Sequence, residues 1–291
     1  MTTTARLTLP AGLLGAAAEP ATIAIDARWL MAYAAGLGET SPAFYDTEAP
    51  VGLAVHPLFP VCYEWPAIVA LREVLGPDVA LGPDVAPLGV HATHDLHIER
   101  LPRPGDRVST TARLVVIERR RAGALVVVRV HSTDASGRTL TTTDYGSVYR
   151  GVEALETGRV AEPLSRASAA AGDVTWTEDV RLRATTAHVY TECARIWNPI
   201  HTDAAVARAA GLPAIILHGT ATLALAVSRV TTRALGGDPR RVRGIAARFT
   251  GFVRLPSVIT VRGRGRTAST LAFDAVTADG ASVLGEGALT L

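Results

Sequence analysis

Two stretches rich in Val, Thr and Leu, Arg107 to Ile117 and Ala124 to Ser132, read as long strands joined by the basic turn Glu118 to Gly123. A third, Thr139 to Tyr149, follows the turn Asp134 to Gly137, so the three predict an antiparallel meander. The same shape returns as Ala246 to Val253, Ser257 to Arg264, Thr270 to Thr277 and Ser282 to Leu291, with a turn at Ala278-Asp279-Gly280. Each meander follows helical sequence. In the first half this is Tyr63 to Leu75, where Trp65, Ile68, Val69 and Val74 recur at roughly helical spacing. In the second it is Ile215 to Leu235, stopped by Gly236-Gly237. Helix then sheet, twice over, predicts an α+β protein with one long helix laid against each antiparallel sheet.

Between the halves, Glu153 to Gly172 is rich in Ala, Ser, Gly and Glu and carries Pro163, as an exposed linker does. The expected division is therefore 1–152, a linker at 153–172, and 173–291. The perfect repeat Leu75-Gly76-Pro77-Asp78-Val79-Ala80, repeated at once as Leu81 to Ala86, is too short for a solenoid and reads as a duplication in a surface loop.

Composition narrows the class of function. The 291 residues are 48% hydrophobic and 19% charged, enough for a substantial core and unlike a disordered chain. A net charge of +2 gives no footprint for nucleic acid. The basic residues are all arginine, which excludes lysine Schiff-base chemistry. Arginines cluster at 119–121 and at Arg262, Arg264 and Arg266, either as solvated strand ends or as phosphate contacts. Cys62 and Cys193 are too few for a disulfide framework, in keeping with a reducing, cytoplasmic setting. The apolar stretch Leu7 to Ala18 is broken by Pro10 and reads as a tail or first strand, and no run approaches the roughly 20 residues of a membrane span. His91, His94 and His97 recur every third residue. Without cysteines or clustered carboxylates nearby they read as a loop entering a strand, not as a metal site.

The stretch that carries chemistry is Tyr190-Thr191-Glu192-Cys193-Ala194-Arg195-Ile196-Trp197-Asn198-Pro199-Ile200-His201-Thr202-Asp203, followed by Pro213-Ala214-Ile215-Ile216-Leu217-His218-Gly219. Asn198-Pro199 ends a helix that begins at Thr185 or Thr186 and presents His201 from non-helical backbone. Gly219 opens a long apolar helix, whose N-terminal N–H groups can hold a developing oxyanion. A histidine and such an N–H suit proton transfer beside a polarised thioester carbonyl.

These residues resemble the signature of the MaoC-type (R)-specific enoyl-thioester hydratases and dehydratases, Gly-Asp-x-Asn-Pro-x-His-x-Asp with a later His-Gly. Asn198, Pro199, His201, Asp203, Pro213, His218 and Gly219 sit where that pattern asks. A worn copy lies at Gly38-Glu39-Thr40-Ser41-Pro42-Ala43-Phe44, with Val55 to Phe59 downstream, so the chain resembles the tandem, double hot-dog form. The resemblance implies a hydro-lyase acting on enoyl- or 3-hydroxyacyl thioesters of coenzyme A or an acyl carrier protein. It implies no cofactor and no metal, no nucleic acid or membrane partner, and leaves a homodimer open. His201 is then the acid–base group and Gly219 the oxyanion donor, while Tyr190, Trp197 and Asn198 shape the site. His188 and His218 read as structural, His218 as a capping or packing residue.

The departure is at Ile196, where the pattern counts its catalytic aspartate, with Arg195 in place of the preceding glycine. Glu192, four residues earlier, is the candidate replacement, with a solvated helix residue as the alternative. In the worn copy Phe44 cannot act as a base, whereas Glu39 could reach a shared cleft. Loss of the aspartate keeps two other functions open, a hot-dog thioesterase and a non-catalytic acyl-binding subunit.

Overall fold

A computed structural model describes residues 8–75, 89–166 and 172–291. The tandem repeat falls outside the described residues apart from Leu75. The chain opens with β1 (Thr8–Leu9), β2 (Ala21–Ala24) and α1 (Ala27–Gly36), which Asp26 caps by accepting from Trp29 N–H. The first long helix, α2, spans Pro60–Val74. Strand β3 (Gly89–Ile98) comes next, and the predicted meander follows as β4 (Arg107–Arg120), β5 (Gly123–Thr133) and β6 (Thr139–Arg150). His91, His94 and His97 thus lie on a strand, and His97 turns away to Ser165.

The connecting segment carries two short strands, β7 (Glu153–Ala154), paired with β1, and β8 (Gly158–Arg159), paired with β4. The second half runs β9 (Trp176–Leu182), α3 (Thr186–Ala194), α4 (Ala204–Ala209) and the seventeen-residue α5 (Gly219–Leu235). It closes with β10 (Gly244–Phe249), β11 (Ser257–Arg266), β12 (Thr270–Thr277) and β13 (Ser282–Thr290). Helix α5 starts at Gly219 and not at Ile215, because the apolar run before it is extended and Ile216 bridges to Arg254.

One eleven-stranded antiparallel sheet runs β2-β4-β5-β6-β3-β10-β13-β12-β11-β9, with β8 beside β4. The halves join edge to edge where β3 pairs with β10, from Gly244 opposite His97 to Arg248 opposite Thr93. Pairing these edges removes the exposed donors and acceptors that each sheet would otherwise present. Helix α5 is buried along most of its length, from Thr220 to Leu235. The core it joins also contains Trp29, Phe59 and Tyr63 from the first half and Phe273 and Leu284 from the second. Each such side chain stabilises by roughly 1.5–3 kcal/mol through burial. The fold is a double hot-dog, two long helices wrapped by one continuous sheet.

Local structure repeats between the halves. In the second half α3 ends on left-handed Arg195 (φ 57°), then Asn198 accepts from Ile200 N–H and caps a 3-10 turn, Pro199–His201. In the first half left-handed Gly38 (φ 75°) follows α1, and Ser41 accepts from Ala43 N–H to cap the 3-10 turn Pro42–Phe44. The equivalent helices α1 and α3 pack together, with the Trp29 indole N–H donating to the Cys193 carbonyl at 3.1 Å.

Candidate active site

Three devices set His201 in place. The 3-10 turn aims its ring inward, Asp203 caps α4 behind it by accepting from Ala205 and Val206 N–H, and the Ile216 carbonyl accepts from Nδ1 at 2.9 Å. A carbonyl only accepts, so in the neutral ring the hydrogen sits on Nδ1 and Nε2 keeps its lone pair. Burial lowers the His201 pKa to about 4, so the ring is neutral near pH 7. His218 stacks on it with ring centroids 3.7 Å apart, and its Nε2 meets the Thr191 hydroxyl at 3.2 Å. Burial and the His201 ring together hold His218 well below its usual pKa.

Both histidines line a cavity of about 1140 Å³ that extends across the seam into the first half. Gly219, the first residue of α5, lines it too, and its N–H has no partner inside the helix. A Cβ at Gly219 would come within 3.1 Å of the Phe249 ring, so a side chain there would displace the wall of the slot. Neutral base and helix N-terminus therefore face one space, the former able to take a proton and the latter to stabilise an oxyanion.

The other sequence candidates divide. Asn198 lines the cavity and its side chain holds the turn. Tyr190 is buried behind it, donating to the Thr220 hydroxyl at 3.1 Å, and its ring lies 5.0 Å from that of His218. Trp197 is 62% exposed and does not line the cavity. Glu192 sits on the solvent face of α3, outside the cavity, while Ile196 is 5% exposed and lines it. The helix ends at Ala194 and left-handed Arg195 reverses the chain, so the four-residue spacing does not put Glu192 and Ile196 on one face. Glu39 lies in a separate pocket of about 230 Å³, 4.0 Å from the His56 ring, and not in the large cavity. His188 bonds the Thr202 carbonyl.

The arginine clusters also separate. Arg120 and Arg121 line the cavity with Arg150, whereas Arg119 bonds the Ala154 carbonyl, and Arg262 and Arg264 both pair with Asp274. One cavity residue escaped the sequence reading. Glu64 of α2 is 1% exposed, lines the cavity and accepts from the Thr143 hydroxyl at 2.6 Å. Burial raises its pKa to about 7. A charged residue inside a helix reads as solvated, and only the burial of the helix on most sides reverses that. Among the described residues no group of three His, Cys, Asp or Glu side chains could hold a metal ion. Nor is any described helix long and apolar enough to cross a membrane.

Both halves of the chain resemble known proteins. Residues 167–270 match the family described as MaoC like domain, and residues 13–143 match the FAS1-like dehydratase domain region. A fatty acid synthase subunit beta of Aspergillus oryzae is 41% identical over 78 residues, 26% of this chain and 4% of that protein. A peroxisomal enoyl-CoA hydratase 2 of Arabidopsis thaliana is 42% identical over 53 residues, 18% of this chain and 17% of that protein. The chain thus aligns with only a small part of these relatives. A MaoC-like dehydratase from Phytophthora capsici superposes with a TM-score of 0.77 at 23% identity, covering 94% of this chain and 95% of the other. The chain thus shares the double hot-dog fold, with a match to the MaoC like domain over residues 167–270 and to a dehydratase domain region over 13–143.

Proposed function

We propose that this protein is a hydro-lyase that adds water to, or removes it from, the acyl chain of a thioester. The observation that carries the reading is a neutral His201, its Nε2 lone pair free, in the same cavity as the Gly219 N–H at the start of α5. In the hydration direction the thioester carbonyl lies on Gly219 N–H. His201 Nε2 takes a proton from water as the water oxygen bonds the β-carbon, and the enolate charge collects on the carbonyl oxygen. The imidazolium then returns the proton to the α-carbon, which restores neutral histidine and completes addition of one water. A single group can serve both steps, so the cycle closes without the aspartate that the family pattern counts at Ile196. Left-handed backbone at Arg195 supports that count, since it is the conformation a glycine takes most readily. Arg120, Arg121 and Arg150 would hold the phosphates of coenzyme A or of a carrier's prosthetic arm. The reading expects the protein in the cytoplasm, and a homodimer remains open to it.

A second reading, thioester hydrolysis, is favoured by one feature: apolar Ile196 stands where the family's second proton-transfer group would be. Incubation with crotonyl-CoA separates the two. Hydration removes the conjugated-enoyl absorbance and releases no thiol, whereas hydrolysis releases free thiol. Neither change would leave an acyl-binding role.

A further inference from the structure

The cavity has an unusual far end. Residues 141, 143, 145 and 147 of β6 share one face of the strand by their period of two, and they are Thr, Thr, Tyr and Ser. That face meets α2, where the Tyr63 hydroxyl lies 3.1 Å from the Thr141 hydroxyl and Thr143 donates to Glu64. A surface that only had to hold an alkyl chain would be apolar here, because buried polar groups cost free energy unless hydrogen-bonded. Glu64 uses one carboxyl oxygen on Thr143, and the other makes no hydrogen bond with a described residue. His91, also in the lining, has a buried Nε2 without a hydrogen-bond partner among the described residues and stacks on Tyr145 with centroids 3.8 Å apart.

Strand β6 orders these groups along the cavity. Arg150 and the Arg120–Arg121 turn stand at one end. Tyr145 and His91 come next, and the His91 ring lies 4.3 Å from that of Phe249, the residue against Gly219. Glu64 lines the cavity where Thr143 holds it, and Thr143 is seven residues or roughly 23 Å along the strand from Arg150. A thioester with its phosphates on the arginines and its carbonyl at Gly219 would therefore direct its acyl chain toward Glu64.

We propose that this end is a polar subsite in which Glu64, with His91 and Tyr145 on the way to it, binds a hydroxyl group borne on the distal part of the acyl chain. A hydroxyl both donates and accepts, so it satisfies the free oxygen of Glu64 in either protonation state. A ketone could only accept, and a terminal carboxylate would face a second carboxyl group. Val61, Trp65 and Ile68 line the same region and would hold the intervening methylenes. The subsite selects substrate and takes no part in proton transfer at His201.

This inference rests on the acyl-thioester reading, so its test uses binding of saturated thioesters, which undergo no hydration. Hexanoyl-, octanoyl- and decanoyl-CoA are each paired with the ω-hydroxyacyl-CoA of the same length, and Kd is measured by calorimetry. The proposal expects at least one pair in which the hydroxyl tightens binding about tenfold or more, the scale of a hydrogen bond to a charged or strongly polar group. Glu64→Leu should abolish or reverse that preference and Glu64→Gln should keep part of it, so the comparison survives if one variant fails to fold. Equal or weaker binding of the hydroxylated member in every pair would overturn the subsite and leave the acyl-thioester reading standing, as would a preference that Glu64→Leu leaves intact. Failure of all six thioesters to bind would overturn the acyl-thioester reading itself and the subsite with it.

Discussion

At the residue scale, two buried ionisable groups of the cavity, His201 and Glu64, respond to pH in opposite senses. His201 has its pKa lowered to about 4, so as a base it should stay competent from pH 8 down to about 5. With crotonyl-CoA, kcat/KM should be flat over that range and fall with an acid limb near 4. A limb near 6.5, the value of free histidine, would mean that the base is another group or that His201 is not desolvated. Glu64 carries the reverse linkage. Burial raises its pKa to about 7 from the usual 4.5, so the folded state retains a proton that the unfolded state has lost across that window. The sign follows: the contribution of Glu64 to stability is greatest below pH 4.5 and declines as pH rises through 7. Glu64→Gln, which cannot ionise, should therefore gain relative stability on going from pH 4.5 to pH 8, by about 3 kcal/mol. Denaturant unfolding of both proteins at the two pH values checks this, and a pH-independent difference would show that Glu64 is solvated.

At the scale of elements, the sequence was legible where side-chain alternation meets one buried and one exposed face. The strand Thr270–Thr277 lies where its pattern placed it, and α3 begins at Thr186, one of the two expected starts. The His201 turn was legible for a similar reason, since Asn-Pro dictates local backbone. Tertiary contact decided what was missed. The stripe read on α2 included Val74, which is 59% exposed, while the face carrying Glu64, Ile68 and Leu71 is buried. Helix α1 and strands β2 and β9 are short and gave no strong period. Glu192 and Ile196 would share a face only on a continuous helix, and left-handed Arg195 ends that helix. The caps themselves are testable. Asp203→Ala removes the acceptor for two N–H groups of α4 and should cost about 1 kcal/mol, read as a lower denaturation midpoint. An unchanged midpoint would show that α4 does not depend on its cap.

At the scale of the whole molecule, the halves are joined by a strand pair, by α1 against α3 and by a shared core. Two halves so connected should unfold together. Thermal or denaturant unfolding is expected to give one transition, coincident by near-UV and far-UV circular dichroism. Two separated transitions would mean that the seam is weaker than its pairing suggests. The same joining builds the cavity, lined on one side by α5 and the His201 turn and on the other by α2 and β6.

The central claim is that His201 moves the proton in a hydration at a thioester held by Gly219. The most direct test is the rate at which wild type and His201→Ala consume the conjugated enoyl absorbance of crotonyl-CoA, with circular dichroism confirming that the variant is folded. The account predicts hydration by wild type and a loss of roughly 10²–10⁴ in kcat for the variant, the scale of removing a general acid–base group, with a much smaller change in KM. Equal turnover by a folded His201→Ala protein would contradict it.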